Sequence, residues 1–433
     1  MGAHAGLSAS QPPPARIARA SEPRATFGDV FAVSDFRALW TAQVLSFAGD
    51  QLARVALTLL VFRQTHSALL SAITFASSSV PMFVGGLTLA PLADRLPRRR
   101  VMIACDLIRA GLVTMMAVPG PPLWARVAPL FVVTLISAPF SSARAAVLPD
   151  ILPGDQYVLG TAITITSLQF SQVLGFAVGG VIAGFFGTGP SLLADAATYL
   201  VSALITRRWV RASPAARPAA PEPSASGDGR SGPMAGLRLV FGDPRLRTPM
   251  LLGWLAAFYN IPSGVAGPLG RALGGGDIVS GLLLAATALG ASLGAVLFSR
   301  FVDPDRRLRL MSPAAAAGCA VLVLFWSGPG LPATLVILIA SGLFDCYQIA
   351  AYASFVRAAP ARHRSQAFGI AQGGLSLGQG AAMIAAGAFA QHYPASRVIA
   401  FGGLLGLIAT LLITVSRARG QRARTGPTDP DGR

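Results

Sequence analysis

Charged side chains inside long apolar segments are the residues of this chain best suited to do chemistry. Asp50 and Arg54 lie four residues apart in one such segment. This spacing puts both on one helix face, where they can form an ion pair that lines a cavity. A charge near the middle of a bilayer costs about 3 kcal/mol. The pair therefore indicates either a site that takes up a proton when the pair opens, or a permanent structural salt bridge.

Asp345 is a second aspartate in the middle of an apolar segment. Gln348 and Tyr352 follow it at three and seven residues, which predicts a polar stripe on one helix face. The stripe favours a site for a proton or a cationic substrate, and a hydrogen bond to a neighbouring helix is the alternative. Further polar side chains could line a substrate cavity or join two helices equally well. The cavity candidates are Gln169, Gln172, Tyr259, Asn260, Gln348, Tyr352 and Gln372.

The remaining reactive residues do not indicate an enzyme. The four histidines fall on predicted tails or loops, and the three cysteines lie far apart inside apolar runs. No lysine occurs in the chain, so a phosphate-binding Walker loop is impossible. We expect neither catalysis nor a metal or organic cofactor. Since ATP cannot be bound in such a loop, we expect any energy that the chain uses to come from an ion gradient, and a proton suits a titratable aspartate better than Na⁺ does.

Composition indicates which elements must position these residues. Hydrophobic residues make up 53% of the chain and charged residues 12%, against about a quarter in soluble domains. This deficit of charge requires an exterior that faces lipid, and it argues against nucleic-acid binding despite the net charge of +17. Runs long enough to span a bilayer are predicted at residues 39–62, 68–92, 100–118, 127–148, 158–184, 191–209, 248–270, 278–301, 309–327, 332–356, 366–390 and 397–416.

The arginines give these spans a sidedness. Most of the 35 arginines lie at one set of span ends, on the loops that join those ends, or on the tails. Such a bias places that side in the cytoplasm. The N- and C-termini are then cytoplasmic and the number of spans is even. Asp195 falls near the outer end of the sixth span, where we expect water to reach it.

The chain is predicted to consist of two related halves. Similar inner-surface segments open the halves at residues 30–39 and 240–247, and similar charged loops follow the second and eighth spans at residues 94–100 and 300–307. A stretch rich in Ala, Pro, Ser and Gly separates the halves. The predicted parts are a disordered tail at residues 1–30, a six-helix half at 31–210, a linker at 211–236, a second six-helix half at 237–416 and a tail at 417–433.

The loop after the second span resembles a motif of the major facilitator superfamily. The segment Ala90-Pro91-Leu92-Ala93-Asp94-Arg95-Leu96-Pro97-Arg98-Arg99-Arg100 is similar to that family's pattern of Gly, three residues, Asp-Arg, then Gly and basic residues. Ala90 and Pro97 stand where Gly is usual. The resemblance implies a twelve-helix fold in which this loop latches the two halves in one conformation. The latch set that it implies is Asp94, Arg95, Arg98 and Arg99, supported by Asp106, Arg109 and Arg144.

Other stretches resemble the drug- and siderophore-exporting branch of the superfamily, typified by macrolide efflux proteins and the enterobactin exporter. They lie at residues 36–50, 105–109, 139–150 and 357–364. In the fifth span, Gly175 to Gly180 resembles the antiporter signature Gly-Pro-x-x-Gly-Gly with Phe176 in place of the proline. Close packing of two helices is the alternative explanation for these glycines.

The resemblance implies a proton-coupled efflux transporter that exports a small amphipathic molecule, such as a drug, antibiotic or siderophore, by alternating access. An importer or symporter, a lysolipid flippase and a non-transporting sensor are alternatives with the same fold. The expected partners are a small-molecule substrate and the lipid bilayer, without nucleic acid. We expect an all-α, multi-pass monomer in a bacterial plasma membrane.

Overall fold

The computed structural model describes residues 26–77, 96–210, 240–358 and 364–424, with the isolated positions 81, 84–85, 88–89 and 238. Every element in these ranges is helical, and a short 3-10 helix, Leu324–Ser327, continues the helix Pro304–Val323. The predicted linker, Asp94, Arg95 and most of both tails lie outside the described residues. In chain order the helices are α1 Phe27–Ala32, α2 Ser34–Thr65, α3 Ala68–Ala76, α4 Arg98–Ala117, α5 Leu123–Ile151, α6 Asp155–Phe185, α7 Thr188–Trp209, α8 Pro244–Trp254, α9 Ala256–Tyr259, α10 Ile261–Gly264, α11 Ala266–Ala272, α12 Gly276–Phe301, α13 Pro304–Val323, α14 Leu331–Phe344, α15 Tyr347–Ala358, α16 Arg364–Phe389 and α17 Ala395–Arg424.

Seven helical segments among the described residues are long and apolar enough to cross a bilayer. The prediction of an all-α membrane protein is thereby confirmed, whereas the count of twelve spans and the cytoplasmic position of the termini stay predictions. The seven segments are Ser34–Thr65, Leu123–Ile151, Asp155–Phe185, Gly276–Phe301, Arg306–Ser327, Leu331–Ala358 and Ala395–Ser416.

Aromatic contacts fix the two segments that precede α2 and α8, which the sequence predicts to lie at the inner surface. A capping box begins α1, in which the backbone N–H of Asp29 donates to Thr26 Oγ1 at 3.3 Å and its carboxylate accepts from Thr26 N–H at 2.8 Å. Phe31 then packs edge-on against Trp40, with 5.3 Å between ring centroids. In the second segment Phe241 packs in a similar way against Trp254 at 6.2 Å.

Two predicted spans are interrupted, which the hydrophobic pattern did not indicate. The span at 248–270 forms the four short helices α8 to α11, and Pro262 is the second residue of α10. Proline lacks an N–H, so it interrupts the ladder of helical hydrogen bonds. The span at 332–356 breaks after Phe344, and Asp345 caps α14. Asp345 therefore lies at a helix break and not inside a continuous helix, contrary to the prediction.

The two predicted halves approach each other closely where α6 crosses α12. A Cβ atom added to Gly180 would lie 2.6 Å from Gly281 Cα and 3.0 Å from the carbonyl oxygen of Asp277. Gly175 and Gly179 of the same motif pack against Ala48 and Leu52 of α2. The glycines predicted from the antiporter-like pattern therefore serve close packing, both within the first half and across the seam.

We expect Gly180→Val to destabilise the contact between the halves, because the added methyl groups have no space at the backbone of α12. Overpacking of this kind costs about 1–3 kcal/mol. The thermal midpoint Tm of the purified protein should fall clearly below that of the wild type. Gly111→Val is the matched control, since a Cβ there meets no atom within 4 Å. Equal Tm values for the two variants would contradict the close approach.

Candidate functional site

A cavity of about 290 Å³ lies among α2, α4, α5 and α7 in the first half, and we call it the N-half cavity. Its wall combines carboxylates, guanidinium groups and aromatic rings. The charged residues that line it are Asp50, Arg54, Arg109, Arg144 and Asp195. The cavity thus joins Asp50 and Arg54, predicted as proton site, with Arg109 and Arg144, predicted as supports of the latch.

Asp50 does not pair with Arg54 as the i, i+4 spacing suggested. Instead the Tyr199 hydroxyl of α7 donates a hydrogen bond to the Asp50 carboxylate, and the guanidinium groups of Arg109 and Arg54 both act on this carboxylate electrostatically. The Arg54 guanidinium lies over the Phe75 ring, 5.6 Å from its centroid. The Asp50 side chain contacts α7 and the Arg54 side chain contacts α3, because these two helices pack against different sides of α2.

Arg109 is held on three sides. Its guanidinium pairs with Asp106 one turn earlier and lies over the rings of Phe140 and Tyr199, at 4.6 and 4.5 Å from their centroids. Asp106 also accepts a hydrogen bond from Ser202 Oγ at 2.7 Å. The Asp106 and Arg109 side chains are almost completely buried, with 0% and 2% of their surface exposed, respectively. The pair therefore fixes α4 against α7 beside Asp50.

Asp195 was predicted to be solvated, and the structure shows that this was wrong. Only 1% of the residue is exposed, because Asp195 lies two turns into α7, on the face that packs against α2. Its Oδ1 accepts from Thr198 Oγ1 at 3.4 Å, and a Cβ at Gly49 would collide with both side chains. Tyr199 was missed altogether. A signal was present in the sequence, since Asp195, Thr198, Tyr199 and Ser202 recur at the 3-4-7 spacing of one helix face.

A second cavity of about 290 Å³ lies between the two halves, and we call it the seam cavity. One part of its wall is polar and includes most of the predicted cavity residues, and another part is apolar. Arg54 lines this cavity as well as the N-half cavity. The polar wall contains Gln169, Gln172, Tyr259, Asn260, Ser263, Thr287, Asp345, Gln348 and Gln379, and the apolar wall contains Phe75, Phe176, Leu284 and Met383.

Hydrogen bonds within the protein occupy part of the polar wall. The Tyr259 hydroxyl donates to the carbonyl oxygen of Ala315 at 2.7 Å, and the Asn260 amide donates to that of Ala256 at 2.9 Å. The Gln348 amide donates to the Asp345 carboxylate at 2.5 Å. Tyr259 and Asn260 thus have fixed orientations, and Asp345 keeps a hydrogen-bond partner at the helix break.

Two predicted cavity residues do not line the seam cavity. Tyr352 is 56% exposed, because α15 starts anew at Tyr347 and the stripe from Asp345 does not continue along one straight helix. Gln372 is exposed as well. It lies on the same face of α16 as Gln379, but seven residues correspond to about 10.5 Å of helix rise, which places Gln372 beyond the cavity.

The described part of the predicted latch makes local contacts. Arg98 pairs with Asp150 at 2.7 Å and donates to the carbonyl oxygen of Ala146 at 2.8 Å. Arg99 donates to the backbone carbonyl of Arg207. These bonds tie the start of α4 to the ends of α5 and α7. Arg144 Nε is buried and has no hydrogen-bond partner among the described residues.

The two halves meet through polar contacts at the end of the bundle that the arginine distribution assigns to the outside. Arg63 at the end of α2 pairs with Asp277 at the start of α12. Arg271 lies over the Phe62 ring at 4.4 Å. The Gln391 amide donates to Ser67 Oγ at 2.9 Å. We call these contacts the outer closure.

We expect Arg63→Gln to weaken the outer closure, because it removes the charge that attracts Asp277 across the seam. To measure this, Ala288→Cys introduces a thiol into the seam cavity. The readout is the rate at which a membrane-impermeant maleimide, added outside cells, labels that thiol. Labelling should speed up with Arg63→Gln and slow again in the charge swap Arg63→Asp/Asp277→Arg. Arg306→Gln, which removes the exposed pair with Asp303, is the control. Equal rates in all variants would contradict a closing role for the pair.

Comparisons with known proteins agree with this architecture. A family model described as the Major Facilitator Superfamily matches residues 39–268 and 256–432. The enterobactin exporter EntS of Shigella boydii serotype 4 (strain Sb227) is 25% identical over 285 residues, which cover 64% of this chain and 66% of the exporter. The chain thus spans just under two thirds of that relative's length.

Solved structures share the fold at low sequence identity. A POT family transporter in complex with 5-aminolevulinic acid superposes with a TM-score of 0.69 at 11% identity, covering 92% of this chain and 98% of that one. The nucleoside transporter NupG gives a TM-score of 0.65 at 14% identity over 87% and 98%. A bacterial homologue of the human lysosomal transporter Spinster, inward-facing and unoccupied, gives 0.64 at 17% over 91% and 96%.

Proposed function

The chain belongs to the major facilitator superfamily, and from that premise we propose that it exports a small amphipathic molecule in exchange for protons. Membership makes it a multi-pass membrane transporter of small molecules and not an enzyme. The observation that carries the proposal is the position of Arg54, which lines both the N-half cavity and the seam cavity. One side chain thus connects a group of titratable carboxylates with a space suited to substrate.

The N-half cavity supplies the proton site in this proposal. Arginine stays protonated in proteins, so the charge of Arg54 is fixed and only its position can change. Asp50 attracts Arg54 when the carboxylate is charged, and this attraction falls when Asp50 takes up a proton. Arg54 is then free to turn toward the seam cavity. Asp345 on the opposite wall is the second candidate for a proton or for a positively charged substrate group.

The seam cavity supports a small substrate with one polar and one apolar side. Its volume of about 290 Å³ lies just below the range for small-molecule sites, roughly 300–1,000 Å³, which favours a small substrate. The amides of Gln169, Gln172 and Gln348 offer both donors and acceptors, while Phe75 and Met383 offer apolar contact. A molecule that combines a hydrogen-bonding face with an apolar face fits both walls.

Alternating access completes the proposal. The two halves, residues 31–210 and 237–416, rock about the seam cavity, so that the outer closure opens as the opposite end closes. The basic segment with Asp94, Arg95, Arg98 and Arg99 latches that opposite end. The chain works as a monomer in a bacterial plasma membrane, with both termini in the cytoplasm. The relationship to EntS, an exporter by name, supports the direction of transport.

The test uses proteoliposomes with an imposed pH gradient. The probe is chosen from a panel of amphipathic drugs by its ability to raise the Tm of the wild type but not of Asp345→Asn. We expect the probe to accumulate in liposomes that are acidic inside, since proton exit drives probe entry in an exchanger. Accumulation only in liposomes that are alkaline inside would show symport, and with it an importer, and would contradict the proposal.

A further inference from the structure

A third and larger cavity lies away from both central cavities, at the end of the second half that the arginine distribution assigns to the cytoplasm. It has a volume of about 1,020 Å³ and is bounded by α8, α13, α15 and α17. We call it the basic pocket, because Arg245, Arg247 and Arg357 line it.

The three guanidinium groups of the basic pocket have no carboxylate as ion-pair partner among the residues that the structure describes. The nearby carboxylate of Asp243 caps α8 by accepting from the backbone N–H of Arg245 at 2.8 Å, and Asp243 does not line the pocket. Three like charges around one space favour an anion that several guanidinium groups can bind together.

The rest of the pocket wall is apolar and lies at the level of a bilayer boundary. Leu308 and Met311 belong to the first turns of the span Arg306–Ser327, and Leu412 to the last turns of the span Ala395–Ser416. Leu412 is 63% exposed, whereas Met311 is buried and forms part of the inner wall. A ligand in this pocket therefore meets positive charge and apolar surface side by side.

We propose that the basic pocket binds the headgroup of an anionic phospholipid of the inner leaflet, with the start of an acyl chain along Leu308 and Leu412. Basic pockets between spanning helices on the cytoplasmic side suit phosphate-bearing headgroups. The volume exceeds what a phosphate ion alone would fill, and the apolar wall would remain uncovered by a soluble anion. The pocket is independent of the proposed transport site, since it shares no lining residue with either central cavity.

The test measures the Tm of the full chain in detergent while phosphatidylglycerol is added to the micelles. Phosphatidylcholine with the same acyl chains and soluble glycerol phosphate serve as separate arms. Saturation of one site should raise the Tm by about 3 °C or more with phosphatidylglycerol alone. The triple variant Arg245→Gln/Arg247→Gln/Arg357→Gln should lose this shift, and native mass spectrometry should show one fewer phosphatidylglycerol retained than on the wild type.

The matched control is Arg208→Gln/Arg300→Gln/Arg309→Gln, which removes three exposed arginines from helix ends outside the pocket. This control should keep the phosphatidylglycerol shift and the retained lipid. Equal loss in both triple variants would mean that general surface charge binds the lipid, and would overturn the proposal. An equal shift with glycerol phosphate would reveal a site for soluble anions, and no shift with phosphatidylglycerol would indicate that part of the chain itself fills the pocket. Either result overturns the lipid assignment.

Discussion

Asp50→Asn is expected to abolish proton-driven accumulation of the transported probe while leaving its exchange without a gradient intact. Asparagine has the size of aspartate and can still accept the hydrogen bond from Tyr199, so the packing of α2 against α7 is kept. It cannot take up or release a proton, so the attraction on Arg54 no longer changes during the cycle. Accumulation in liposomes that are acidic inside should fall to the level of protein-free liposomes. Counterflow of labelled against unlabelled probe should continue.

Asp155→Asn is the control for this experiment, because Asp155 is an exposed aspartate at the start of α6 and borders neither central cavity. It should accumulate the probe as the wild type does. If Asp50→Asn accumulated the probe as well as Asp155→Asn, Asp50 would not be the coupling residue. If counterflow were lost together with accumulation, Asp50 would serve substrate binding or folding instead of proton coupling.

The fold could be predicted from the sequence because its signals are local. Apolar runs and basic loops repeat along the chain, and they indicated a helical membrane protein with two halves. The charged segment at residues 90–100 and the glycines near Gly180 pointed to the superfamily. What no local pattern indicated was the break at Asp345. It depends on how α14 and α15 pack against other helices, since neither segment contains a proline at that position.

The candidate site was predicted in part. The errors of that prediction follow from the assumption that polar residues spaced along one helix contact each other. Spacing within a helix suggested that Asp50 pairs with Arg54, whereas the partner of Asp50 is Tyr199, 149 residues away in sequence. Contacts between distant helices depend on rotation and depth, which a single-helix pattern leaves open. Gln169 and Gln172, which lie near the middle of a span, line the seam cavity, and their contact with a substrate stays a prediction. Tyr352 and Gln372 lie nearer helix ends and do not line this cavity.

The buried pair of Asp106 and Arg109 should dominate the stability of the first half. Asp106→Leu leaves the Arg109 charge buried without its main partner, which costs about 3–5 kcal/mol. The free energy of unfolding in mixed detergent micelles should fall accordingly. Arg98→Gln removes a pair in which Asp150 is 55% exposed, and pairs of that kind contribute at most about 1 kcal/mol.

The double variant Asp106→Leu/Arg109→Met distinguishes a structural pair from a functional one. It replaces both charges by apolar groups, which cost little in a buried position once no charge lacks a partner. We therefore expect the double variant to be more stable than Asp106→Leu alone. Arg109 also acts electrostatically on Asp50, so the double variant should lose proton-driven accumulation even though its stability recovers. Recovery of both stability and transport would reduce the pair to a packing role and leave Arg54 as the cation that acts on Asp50.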